Sequence, residues 1–175
     1  AYNIAQGSTT PTPVTLANQR VGGGLTQSLT VVNTAPGGAF TEGLRASFGA
    51  NTGDALNNGG VTSLLAGGAG QSGALSARVD TTTAGAKSGT VTVNYLSDGA
   101  GTSGLAAISA GNQTINVAGN VYQAAQGQIQ TAALNFGTVQ VGQSVSQALA
   151  IRNIATGAAG FVEDLNASFG AANGT

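Results

Sequence analysis

The 175-residue chain has no cysteine, methionine, tryptophan or histidine, and only 6% of its residues are charged. An average globular protein has about 25%. Without cysteine there is no disulfide, thiolate nucleophile or thiolate metal ligand. Without histidine the usual general base and the commonest zinc ligand are missing. The only cationic side chains are Lys87 and four scattered arginines, Arg20, Arg45, Arg78 and Arg152, and the net charge is −1. Neutralising phosphates takes clustered cations, so no nucleic-acid partner is expected. An anionic membrane surface is an unsuitable partner for the same reason. No apolar run approaches the roughly 18 residues that suggest a membrane helix. No leader peptide is visible at Ala1, which suits mature or excised material.

Glycine is abundant, at 29 residues, and small polar residues fill much of the remainder. Low charge argues against charge-rich disorder. Regular alternation argues against a flexible Gly/Ser coil. Leu25, Leu29 and Val31 alternate with Thr26, Ser28 and Thr30, and Leu44, Ala46 and Phe48 with Arg45 and Ser47. The same pattern holds for Leu75, Ala77 and Val79, for Val91, Val93 and Tyr95, and for Ile115, Val117 and Val121. Period-2 alternation marks strands with one buried face. Val14 with Leu16, and Val61 to Leu65, complete the expected strands, and Phe40, Phe48 and Tyr95 the expected aromatic core. Gly- and Asn-rich turns separate the runs, among them 36–38, 57–60, 97–99 and 111–112. No segment sustains a 3.6-residue period. About seven strands in about 120 residues predict an all-β, immunoglobulin-like antiparallel β-sandwich.

The chain also repeats itself. Tyr2-Asn-Ile-Ala-Gln-Gly aligns with Tyr122-Gln-Ala-Ala-Gln-Gly at an offset of 120, and Val21-Gly22 with Val141-Gly142. Gln27, Leu29 and Asn33 match Gln147, Leu149 and Asn153. After one inserted residue, Ala46-Ser-Phe-Gly-Ala50 matches Ala167-Ser-Phe-Gly-Ala171. About 21 of 53 aligned positions are identical, too many for a biased composition alone. Residues 1–121 are therefore expected to form a complete sandwich repeat. Residues 122–175 are expected to be the N-terminal part of a second, with about three strands and an unclosed core. The last strand of the first repeat should run almost directly into the second.

Certain stretches are familiar as a set: Leu134-Asn-Phe-Gly-Thr-Val-Gln-Val-Gly-Gln-Ser-Val-Ser-Gln, Thr41-Glu-Gly-Leu-Arg-Ala-Ser-Phe-Gly, Thr83-Ala-Gly-Ala-Lys-Ser-Gly-Thr-Val-Thr-Val-Asn-Tyr and Ser97-Asp-Gly-Ala-Gly-Thr-Ser-Gly-Leu. Together they resemble the choice-of-anchor D repeat of bacterial surface proteins, an immunoglobulin-like domain related to major-sperm-protein-type sandwiches. The first copy departs from the pattern at its start, with Leu16-Ala17 where the second has Phe136-Gly137. The resemblance implies export and repetition in long surface proteins, and it implies no catalytic residues.

Candidate chemistry is sparse. Gly22-Gly23-Gly24 lacks the following helix that a phosphate-cradling loop needs, and reads as a turn. The loop Asp98 to Gly104 offers one carboxylate where calcium wants six to eight oxygens. Asp54 and Asp80 are the groups that could join it in space. Glu163-Asp164 are sequence neighbours, so on a strand they face opposite sides and make no acid/base pair. Lys87-Ser88 is a weak candidate Ser/Lys dyad, lacking any sign of an oxyanion hole. Asn112, Asn166 and Asn173 begin glycosylation tripeptides, read as accidents of composition. No catalytic residue, cofactor or metal site is expected. The expected function is a structural building block of a bacterial extracellular or cell-surface stalk, fibre or matrix, with 122–175 pairing with further copies of the chain. The alternative is an adhesive module binding glycan or a host protein.

Overall fold

The computed structural model describes residues 1–68 and 70–171. Eleven strands follow in order: β1 (Gly7–Thr10), β2 (Val14–Thr15), β3 (Gln19–Arg20), β4 (Gln27–Asn33), β5 (Gly43–Gly53), β6 (Ala55–Asn57), β7 (Gln71–Val79), β8 (Gly85–Asp98), β9 (Ile108–Tyr122), β10 (Gly127–Ile129) and β11 (Ile151–Asn153). There is no helix among the described residues.

The first nine strands build two facing sheets. One runs β1-β4-β7-β6, antiparallel throughout. The other runs β2-β9-β8-β5, with β3 also on β9. The two short strands β2 and β3 lie parallel to β9. β1 stops where Pro11 and Pro13 remove backbone donors, and the chain there crosses from one sheet to the other. The alternation positions meet between the sheets. Leu29, Val31, Leu75, Ala77 and Val79 from one face pack against Leu44, Ala46, Val91, Val93, Ile115 and Val117 from the other. The core is built from small aliphatics because the chain supplies few large ones, so it is narrow, and buried polar groups tie its rim.

Four expectations about the first repeat need correction. Nine strands form in the first repeat rather than about seven, since the opening segment breaks into three short pieces. Leu25 is 46% exposed and precedes β4, while its N–H donates to Gln19 Oε1 in a turn. Phe40 is not core: it is 64% exposed and stacks on Tyr2, ring centroids 5.6 Å apart. Val61 to Leu65 form no strand. Val61 and Leu65 make isolated bridges to Ser47 and Leu44, and of the apolar residues there only Leu65 is buried.

Residues 122–171 reproduce the early contacts of 1–50. β1 pairs β4 as Gly7↔Asn33 and Thr9↔Val31, and β10 pairs β11 as Gly127↔Asn153 and Ile129↔Ile151. Asn3 bridges Thr41 and Gln123 bridges Val162, both parallel. Tyr122 stacks on Phe161 at 5.4 Å as Tyr2 does on Phe40. Only two strands form here, not three. In the first repeat β2 and β3 lie beside β9, and β5 beside β8, and no counterparts of β8 and β9 follow among the described residues. β1 and β4 satisfy each other, so their counterparts form alone.

Candidate functional site

Each sequence candidate has a structural occupation. Gly22 has φ of 81° and Gly23 N–H donates to Arg20 O, closing a turn with no helix after it. Asp98 accepts from Arg45 Nε at 2.6 Å and from Ala100 N–H at 2.9 Å, so both oxygens are engaged. The Arg45 hydrogen bond, then the Ala100 amide, hold its carboxyl below its usual range. Asp80 accepts from the Thr82 N–H and hydroxyl, which lower its pKa likewise. Asp54 accepts from Lys87 Nζ and from Ser88 N–H. Asp54 and Asp80 are neighbours through a backbone hydrogen bond. Asp98 is opposite Gly43, at the other end of β5, which at about 3.3 Å per residue is about 30 Å away. The three carboxylates do not converge, and no metal-competent cluster occurs among the described residues.

Lys87 is buried and bonded to Thr83 Oγ1 at 2.9 Å and to Asp54 at 3.5 Å, so it pins the loop before β8 rather than serving Ser88. Asn112 is exposed on β9 and Asn166 is exposed outside any strand, while Asn173 lies outside the described residues.

The buried polar groups that do matter were not singled out by sequence. Asn33 is fully buried. Its Oδ1 accepts from Gln6 and Ala35 N–H, and its Nδ2 donates to Glu42 O and Leu65 O. Asn153 repeats this with Gln126, Ala155 and Glu163. The available signal was its identity in both copies at the end of an apolar strand. Glu42 is buried and accepts from Ser103 Oγ and from Ser97 Oγ, which itself accepts from Ala5 N–H. These hydroxyls, Ser103 first, hold the Glu42 carboxyl below its ordinary value. At the β1 edge, Gln113 acts like a strand residue toward Thr9: Oε1 accepts Thr9 N–H at 2.9 Å and Nε2 donates to Thr9 O at 2.8 Å. The Tyr95 hydroxyl bridges Gln113 Oε1 and Thr9 Oγ1.

Two surfaces among the described residues involve the second copy. The first is the junction. β9 continues to Tyr122, and Gln123 N–H bonds Phe161 O one residue later. Arg20 Nε reaches both oxygens of Glu163, at 2.9 and 3.0 Å, across the boundary between the copies. Ala84 of the first copy approaches Gly157 of the second. Phe161, in the place of exposed Phe40, is half-buried there. The second is an apolar cavity of about 240 Å³ lined by Ile129, Leu149, Ile151, Ala167 and Phe169. At the junction the Glu163 carboxylate is taken up by Arg20, and Ser168 brings the one polar side chain to the cavity lining. No protein-family model matches this chain, and no curated protein is a significant match to it.

Proposed function

We propose that the chain is a structural repeat module of a bacterial extracellular or cell-surface protein, a stiff building block of a stalk, fibre or matrix, and not an enzyme. The observation that carries this reading is the junction. A 15-residue strand, β9, runs into the second copy with no linker, and Arg20 grips Glu163 from the other side of the turn. Two covalent or ionic ties on different elements oppose rotation between neighbours, and a series of such joints makes an extended rod. The resemblance to choice-of-anchor D repeats supports export and repetition, and assembly with further copies is part of the same reading.

An adhesive module binding glycan or host protein is the alternative, and the exposed Tyr2–Phe40 stack at one end is the feature it would use. The matching Tyr122–Phe161 stack lies at the junction, which favours inter-repeat packing as the role of that pair.

The test is a residual-dipolar-coupling measurement on the full chain. A stiff joint gives residues 1–121 and 122–171 one common alignment tensor, and Arg20→Ala loosens the second from the first. Independent tensors in the unsubstituted chain would refute the rod. A glycan array bound by the chain and lost in Phe40→Ala would favour the adhesive reading instead.

A further inference from the structure

An edge strand leaves a row of main-chain donors and acceptors open to other chains, and charge, proline or short length usually blunts it. β1 and β6 are the edges of their sheet. β6 is only three residues long. β1, Gly7-Ser-Thr-Thr10, carries neither charge nor proline.

The register of β1 fixes which of its groups face outward. Thr34 N–H donates to Gln6 O at 2.7 Å, and Ser8 and Thr10 stand opposite Val32 and Thr30. Main-chain groups alternate in direction along an antiparallel strand. Residues 6, 8 and 10 turn theirs to β4, so Ala5, Gly7 and Thr9 turn theirs away from it. The second sheet meets that outward row with side chains. Ser97 Oγ, on β8, accepts from Ala5 N–H at 2.8 Å. Gln113, on β9, accepts from Thr9 N–H at 2.9 Å and donates to Thr9 O at 2.8 Å. Gly7, between them, has no Cβ to collide with the Tyr95 ring. The Tyr95 hydroxyl can therefore reach Gln113 Oε1 and Thr9 Oγ1, and it holds the amide in place.

We propose that the outer edge of β1 is a strand-pairing surface for a second copy of this chain, and that Gln113 holds it shut. A side-chain amide carries a donor and an acceptor side by side, as a peptide does. One glutamine thus takes both Thr9 groups that an added strand would use. The occupant that fits is β1 itself. Two copies turned antiparallel about a two-fold axis at Gly7 set Ala5 against Thr9 and Gly7 against Gly7. The outward groups of each strand then meet those of the other, and no like charges are opposed. Gln113 and Thr9 both belong to the first repeat, so this inference stands apart from the joint with the second copy.

The experiment compares the full chain with Gln113→Ala and Leu29→Ala by light scattering, up to about 1 mM, the weak end of specific association. Leu29→Ala weakens the core but leaves the Gln113–Thr9 bonds in place, so it controls for loss of stability alone. Gln113→Ala should show a twofold rise in molar mass with concentration, over that of the unsubstituted chain. Its Thr9 amide should exchange fast when dilute and slowly when concentrated. Leu29→Ala should keep the molar mass of the unsubstituted chain. If Gln113→Ala loses its strand signal in circular dichroism, Gln113→Asn replaces it with the same expectation, since one methylene fewer withdraws the amide from Thr9. The proposal is overturned if the Gln113 variant keeps the molar mass of the unsubstituted chain, or if Leu29→Ala associates equally. Association that leaves the Thr9 amide exchanging fast also overturns it.

Discussion

The same substitution made at matched positions gives the sharpest check on the half-open second copy. Leu29 and Leu149 are equivalent residues, both preceded by a polar or small residue and followed two places later by Val31 or Ile151. Leu29 is fully buried between the sheets, whereas Leu149 is only half-buried and borders the cavity. Removing three carbons from a sealed core loses their transfer free energy and leaves a cavity, so Leu29→Ala should cost about 3 kcal/mol, within the usual 2–5 range. That is a large part of the roughly 5–15 kcal/mol that holds a domain of this size, and it should lower Tm by about 10 °C. Leu149→Ala creates no sealed void and loses only part of the burial, so it should cost well under about 1 kcal/mol. Urea unfolding of the full chain followed by far-ultraviolet circular dichroism at neutral pH measures both, with the slope m unchanged for each. Equal costs would refute the reasoning, because they would mean that the inner face of 122–171 is sealed in solution.

Gln113→Ala should destabilise the first repeat by about 1–3 kcal/mol, because the buried Thr9 amide and carbonyl and the Tyr95 hydroxyl lose partners together; a change below about 0.5 kcal/mol in the same urea assay would show that water replaces the side chain. Glu42, Asp80 and Asp98 all have depressed carboxyl pKa values in the folded chain, through the Ser103 and Ser97 hydroxyls, the Thr82 amide and hydroxyl, and Arg45 followed by the Ala100 amide, respectively. Their stabilisation is complete above the ordinary carboxylate range, near about 4, and is lost as pH falls through the folded values. Unfolding free energy should therefore be flat from neutral pH down to that range and fall below it, and Glu42→Gln should make the fall shallower. An unchanged pH slope in that variant would remove Glu42 from the account.

Much of the sandwich was legible in the chain because its cause is local. Leu75, Ala77 and Val79, or Val91, Val93 and Tyr95, alternate with polar residues, and a strand with one buried face requires that alternation. Phe40 and Leu25 misled because hydrophobicity marks what could be buried, not where the sheet ends. Both lie in turns beyond a strand terminus, and Phe40 finds Tyr2 instead of the core. Glu42, Ser97, Ser103 and Gln113 were silent for a different reason. Their partners are dozens of residues away, and a polar residue in an exposed turn has the same local sequence as one buried by the meeting of two sheets.

The sequence by itself determined that the protein is all-β, that the pattern of its first 50 residues returns from Tyr122 to Ala171, and that it lacks the residues for thiol, imidazole or polycation chemistry. These follow from composition, period and self-similarity, which are properties of the chain in one dimension. Only the tertiary structure decided that Asp54 and Asp98 stand at opposite ends of a strand, that Arg20 clasps Glu163 across the joint, and that β10 and β11 form while the segments matching β2, β3 and β5 do not. A strand needs a neighbour to satisfy its backbone donors and acceptors, and which neighbours are within reach is settled by long-range closure of the chain.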